Sequence, residues 1–142
     1  MKQLWIFPLV VLAGIGLSVE AGLLGPLGEE IGHIWATLGI FALGSILLTF
    51  GLIFCRPRLT LLFKQPRWQL AGGILGPVYV VSLTIATPHI GVGLTMVGIL
   101  FGQIATSLVI DHWGLLGSSK RAVDKYRISA LIAILAALWL IQ

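Results

Sequence analysis

An all-α membrane protein of five transmembrane helices is predicted by three observations on this chain. Its 142 residues are 58% hydrophobic and only 10% charged. Their mean hydropathy is +1.05, more apolar surface than a water-soluble domain of this size can tolerate. Apolar windows close to the ~20 residues that cross a hydrocarbon core recur at about 4–25, 33–55, 68–87, 90–110 and 127–142, so 1–142 reads as a single five-helix transmembrane domain.

The first window carries the most informative residue. Glu20 stands inside the apolar run from Leu4 to Gly25, where a carboxylate costs roughly 2.5–3.5 kcal/mol on insertion scales at the helix centre. Desolvation favours its neutral form, which suits a group that exchanges a proton for something else. The plainer reading is a side chain that snorkels to the interface. By the advance of ~100° per residue, Glu20 shares a face with Ala13, Gly16 and Leu24, while Gly14, Ser18 and Gly22 repeat every fourth residue on another face as a packing seam. Lys2, the apolar run and Val19-Glu20-Ala21 also resemble a cleavable signal peptide, but the run continues through Leu23 and Leu24, which favours a retained helix.

The second window, 33–55, ends at Cys55, and this lone cysteine can form neither an internal disulfide nor a thiolate metal site. In the third, Gly72, Gly73 and Gly76 permit close backbone approach, and Gly76-Pro77 removes a helical hydrogen bond and predicts a kink that could serve as a hinge. Tyr79, Ser82 and Thr84 surround that kink as candidate polar contacts, although Ser and Thr often bond only their own backbone. The fourth window holds Gln103, whose amide needs a partner and suits either substrate recognition or an interhelical bond. Asp111 and His112 close it as a polar pair at the interface, where solvation or helix-end bonding competes with proton or metal work. The fifth window is short and spans only if the Tyr126/Arg127 end snorkels.

Charge sets the orientation. Lys2, then Arg56, Arg58, Lys64 and Arg67, then Lys120, Arg121, Lys125 and Arg127 make up all nine basic residues, and all fall in connections on one side. The other connections carry Glu29, Glu30, His33 and His89. The positive-inside rule places the N-terminus in the cytoplasm and the C-terminus outside. Trp5, Trp35, Trp68, Trp113 and Trp139 each lie near a helix end, as an interfacial aromatic belt requires. The pI of about 9.7 therefore reports membrane orientation, and no nucleic-acid partner is expected.

Enzyme chemistry finds no foothold: the sequence has no His-Glu-x-x-His zinc motif, no Gly-x-Ser-x-Gly elbow and no phosphate-binding glycine loop. No metal, no cofactor and no catalytic residue is expected.

Trp68-Gln69-Leu70-Ala71-Gly72-Gly73-Ile74-Leu75-Gly76, Pro88-His89-Ile90-Gly91, Gly102-Gln103 and Asp111-His112-Trp113-Gly114-Leu115-Leu116-Gly117 resemble the short YdcZ-like family of inner-membrane exporters, in the drug/metabolite transporter superfamily. The likeness is strong from Trp68 to Gly117 and looser before it. It implies a protein of the bacterial inner membrane. The family tends to carry an amide where this chain has Glu20, an Asn where it has Leu23 or Leu24, and a small residue where it has Pro77. Small multidrug resistance transporters of the same superfamily use a first-helix Glu for proton and cation exchange, an analogy for Glu20.

Together these readings predict half of a ten-helix inverted-repeat transporter that exports a small molecule. Glu20, Gln103, Tyr79 and Ser82 are its substrate- or proton-binding residues; Gly14, Ser18, Gly22, Gly72, Gly73, Gly76 and Pro77 are its packing and hinge residues. The expected surroundings are the lipid bilayer and a second five-helix subunit of opposite orientation, with a homodimer as runner-up. The alternative is a non-transporting membrane scaffold or regulatory subunit.

Overall fold

A computed structural model describes residues 5–55 and 64–141, and among them every regular element is helical. Leu4 at the start of the first window, the basic residues Lys2, Arg56 and Arg58, and Gln142 lie outside the described residues. Helix α1 is Ile6–Ile31, α2 is His33–Cys55, α3 is the single turn Arg67–Leu70, α4 is Gly72–Trp113 and α5 is Lys125–Ile141. Three stretches are long and apolar enough to cross a membrane: Ile6–Ile31, His33–Cys55 and Trp68–Trp113. Apolar side chains such as Phe7, Leu48, Ile74 and Leu140 point outward along the helices, and the five indoles are all at least half exposed. Lipid is the solvent that suits such a surface, and helices suit lipid because they satisfy their own backbone.

The chain separates into two packing units, Met1–His89 and Ile90–Gln142. In the first, α1 runs six residues beyond the end expected at Gly25, straight through Pro26. Gly32 then turns the chain in one residue with φ 91° and ψ 138°, a conformation that favours glycine, and its carbonyl accepts the Ala36 N–H at 2.9 Å. The buried residues of α1 are Ala21, Leu24, Gly25 and Gly28, and those of α4 in this unit are Val80, Leu83, Thr84 and Thr87. Both sets follow the i, i+3, i+4, i+7 spacing of one helical face. Ala36 and Thr37 of α2 complete this small core.

Close approach in the first unit falls on two glycines outside the expected seams, Gly25 and Gly28, and on one within them, Gly76. A Cβ at Gly25 would meet Thr87 Cγ2 at 2.9 Å, and one at Gly28 would meet His33 Nδ1 at 2.7 Å and Thr84 Cβ at 3.3 Å. A Cβ at Gly76 would meet the Phe41 ring at 3.3 Å, whereas one at Gly14, Gly72 or Gly73 would meet no atom of another described segment within 4 Å. The backbone keeps helical dihedrals through Gly76-Pro77; the interruption of α4 lies at Gly91, with φ 78° and ψ 160°. Only glycine tolerates that combination, so the connection expected around Pro88 and His89 narrows to one residue.

In the second unit, residues 92–113 of α4 lead to Gly114, whose φ of 63° ends the helix in the left-handed region. A 3-10 turn at Leu115–Gly117 follows, and α5 spans 17 residues.

Candidate functional site

A polar residue directly precedes each of the two buried stripes of the first unit. Glu20 comes immediately before Ala21, and Tyr79 immediately before Val80. Both are partly buried. The Tyr79 hydroxyl is itself buried and makes no hydrogen bond among the described residues. A carboxylate and a free phenol at the edge of one apolar seam can bind a proton, a cation or a hydroxyl-bearing solute.

Two further polar atoms of the same core are also buried without a partner: Thr87 Oγ1 and His33 Nδ1. Thr87 is 5% exposed, so its hydroxyl has no solvent to turn to. The neighbouring hydroxyls are engaged, Thr37 donating to the His33 carbonyl at 2.8 Å and Thr84 to the Val81 carbonyl at 2.9 Å. Buried polar groups are seldom left unmatched, which makes this core the candidate site. In the sequence His33 stands out only as a helix-end residue, and Thr87 does not stand out at all. A signal for Thr87 is nonetheless present, since Val80, Leu83, Thr84 and Thr87 share an apolar face on which hydroxyls are out of place.

The remaining expected site residues stand apart. Ser82 is exposed and donates to the Val78 carbonyl at 2.9 Å. Gln103 belongs to the second unit and is exposed. Gly14 accepts the Ser18 hydroxyl at 3.2 Å on an exposed face of α1.

Asp111 is a structural anchor within the second unit. Its carboxylate accepts Arg127 Nη1 at 2.8 Å and its carbonyl accepts the Arg121 N–H at 2.8 Å, so one residue fastens both the connection and the start of α5. Its neighbour His112 turns away, edge-on to Trp113 with ring centres 6.0 Å apart. Asp111 and Arg127 border a recess of about 310 Å³ that Ile104, Ser107, Leu108 and Ala130 also line. No cluster of three metal-ligating side chains occurs among the described residues.

A protein-family model described as "Putative inner membrane exporter, YdcZ" matches residues 5–140. No curated protein and no solved structure matches the chain.

Proposed function

The chain belongs to this YdcZ inner membrane exporter family, and from that premise we propose that it is a subunit of a proton-coupled secondary transporter for a small solute. What supports the reading is that Glu20 and Tyr79 are both partly buried and each directly precedes the buried stripe of its helix, the Tyr79 hydroxyl having no partner among the described residues. Glu20 exchanges a proton for a cationic or polar solute. Tyr79 holds the solute by its unpartnered hydroxyl. Ser82, on the same helix as Tyr79, extends recognition. The free energy spent on putting a carboxylate at membrane depth is recovered as coupling, because only one of proton and solute can neutralise it at a time.

Five spans are the topology that fits this role. The Trp68–Trp113 stretch has 46 residues, about 69 Å of helix or twice the ~30 Å hydrocarbon thickness, and Gly91 interrupts it near its middle. Counted as two crossings, and with α5 as a short last span, the chain passes five times with its N-terminus in the cytoplasm. Gly91 serves as the flexible joint expected of such a protein, alongside Gly76-Pro77. Five crossings make half of an inverted-repeat transporter, and the other half is a second five-helix subunit.

Flux in proteoliposomes tests the proposal. A pH gradient across vesicles holding the assembled complex drives movement of a cationic or polar solute, and Glu20→Gln abolishes it while the protein stays folded. Unaltered pH-driven flux in that variant removes Glu20 from the mechanism.

A further inference from the structure

We infer that His33 is the proton entry of this site on the outer side, carrying protons between the outer medium and the Tyr79–Glu20 pair by way of Thr87; the inference rests on the reading of Glu20 as a proton carrier. Four groups of the first unit carry the argument. Three of them, His33 Nδ1, Thr87 Oγ1 and Tyr79 Oη, are the buried side-chain polar atoms without a partner among the described residues. Thr87 is in the small core, His33 packs on it at Gly28 and Thr84, and Tyr79 and the fourth group, Glu20, directly precede the buried stripes of α4 and α1.

The core holds His33 in place with unusual closeness. Its Nδ1 lies where a Cβ of Gly28 would come within 2.7 Å, and the same point is 3.3 Å from Thr84 Cβ. The ring thus presses on bare α1 backbone next to α4, and Thr87 touches α1 one turn away at Gly25. From Gly28 back to Glu20 is eight residues, as is Thr87 back to Tyr79, about 12 Å along each helix, so the relay runs through water between these groups and not from side chain to side chain alone.

The chemistry is that of a relay. A proton taken from outer water makes the imidazolium, in which both ring nitrogens donate. Loss of the Nδ1 proton inward returns the ring to neutrality, and the Thr87 and Tyr79 hydroxyls each accept one proton and release another until the carboxylate of Glu20 is protonated. One proton moves and no bond to carbon changes. The titratable groups on the elements packed around His33 are Glu29 and Glu30 of α1, exposed and next in sequence to Gly28, and Tyr79 and His89 of α4. The two glutamates concentrate protons at the mouth. His89 is exposed, with its Nδ1 bonded to the Ile85 carbonyl at 2.9 Å.

The test needs no solute. Right-side-out membrane vesicles from cells expressing the full chain are held with an acidic outer medium and an alkaline lumen. They are then pulsed with dicyclohexylcarbodiimide, which adds to protonated carboxyl groups within the bilayer. Mass fragmentation locates and quantifies the adduct on Glu20. In the wild type, labelling follows the outer pH. In His33→Gln and in Thr87→Val it falls several-fold toward the level set by the lumen, and with both sides acidic all three proteins label alike. Two variants keep the test open if one folds poorly, since valine preserves the packing of Thr87. Wild-type labelling that follows the lumen, or labelling in both variants that still follows the outer medium, overturns the relay alone. Absence of any pH-dependent adduct on Glu20 overturns the relay together with the reading of Glu20 on which it rests.

Discussion

Gly28 and His33 meet where no side chain at position 28 could fit: a Cβ there would stand 2.7 Å from the imidazole Nδ1. The contact closes the α1–α2 hairpin against Thr84 of α4. Gly28→Ala is therefore an overpacking change in the best-packed part of the molecule, expected to destabilise by about 1–3 kcal/mol. Gly25→Ala, facing Thr87 at 2.9 Å, should lose a similar amount. Gly14→Ala and Gly73→Ala meet nothing within 4 Å and should stay within about 0.5 kcal/mol of the wild type. Thermal unfolding of the four purified variants in one detergent checks the ordering. Equal stability at positions 28 and 14 would show that the core is packed otherwise.

A second prediction separates the two features of the Asp111-His112-Trp113-Gly114 segment. The Asp111–Arg127 pair is short, at 2.8 Å, but its side chains are 30% and 38% exposed, so breaking it by Arg127→Gln should cost no more than about 1 kcal/mol. Gly114, with φ 63°, ends a helix in the left-handed region, and Gly114→Val should cost more, on the order of 1–2 kcal/mol. The same unfolding measurement decides, and a larger loss for Arg127→Gln would assign the pair a role beyond anchoring the connection.

Much of the helical layout is open to sequence reasoning, because lipid demands long apolar runs and these are readable by eye. His33–Cys55 is an example: its ends coincide with the expected 33–55. What escapes is the glycine logic. Gly25-Pro26 looks like a helix end, yet the helix continues to Ile31, since a membrane environment penalises unwinding more than a missing bond. Gly76-Pro77 looks like a break, yet the dihedrals that leave the helix belong to Gly91. A glycine used for close approach and one used for its backbone freedom are the same letter, and only the neighbours tell them apart. Glu20 is conspicuous by its charge, and Tyr79 draws notice beside the supposed kink. Thr87 and His33 are less visible because their significance lies in lacking partners, which is a property of packing.

Topology can be tested without knowing the solute. Reporter fusions after Lys64 and after Lys120 should both be cytoplasmic, since the basic residues flank these connections. A fusion at Glu30, and one at His89 beside the Gly91 joint, should report the outer side. An outer signal at Lys64, or matching signals at Lys64 and His89, would invert or remove the two crossings assigned to α2 and the first part of α4.

The last prediction concerns assembly and follows from the faces the chain leaves open. A Cβ added at Gly14 on α1, or at Gly72 or Gly73 on α4, would find no atom of another described segment within 4 Å, although such spacing of small residues is what helix pairs in membranes use for close contact. The five crossings proposed for this chain would enclose little volume, and an odd count would call for a related half of reversed orientation to complete the inverted pair on which many secondary transporters are built. If the five-span topology holds, every Lys and Arg falls on one side, and this chain should insert in one orientation only, so an antiparallel pair of identical chains is disfavoured. The expected complex joins it to a second five-helix protein of opposite charge bias. Gly14→Leu and Gly72→Leu should then break that complex, as read by crosslinking and native mass measurement, while leaving the unfolding temperature of the isolated chain unchanged. A transport-active assembly that contains this chain alone, all copies in one orientation, would exclude the inverted pair and leave the parallel homodimer.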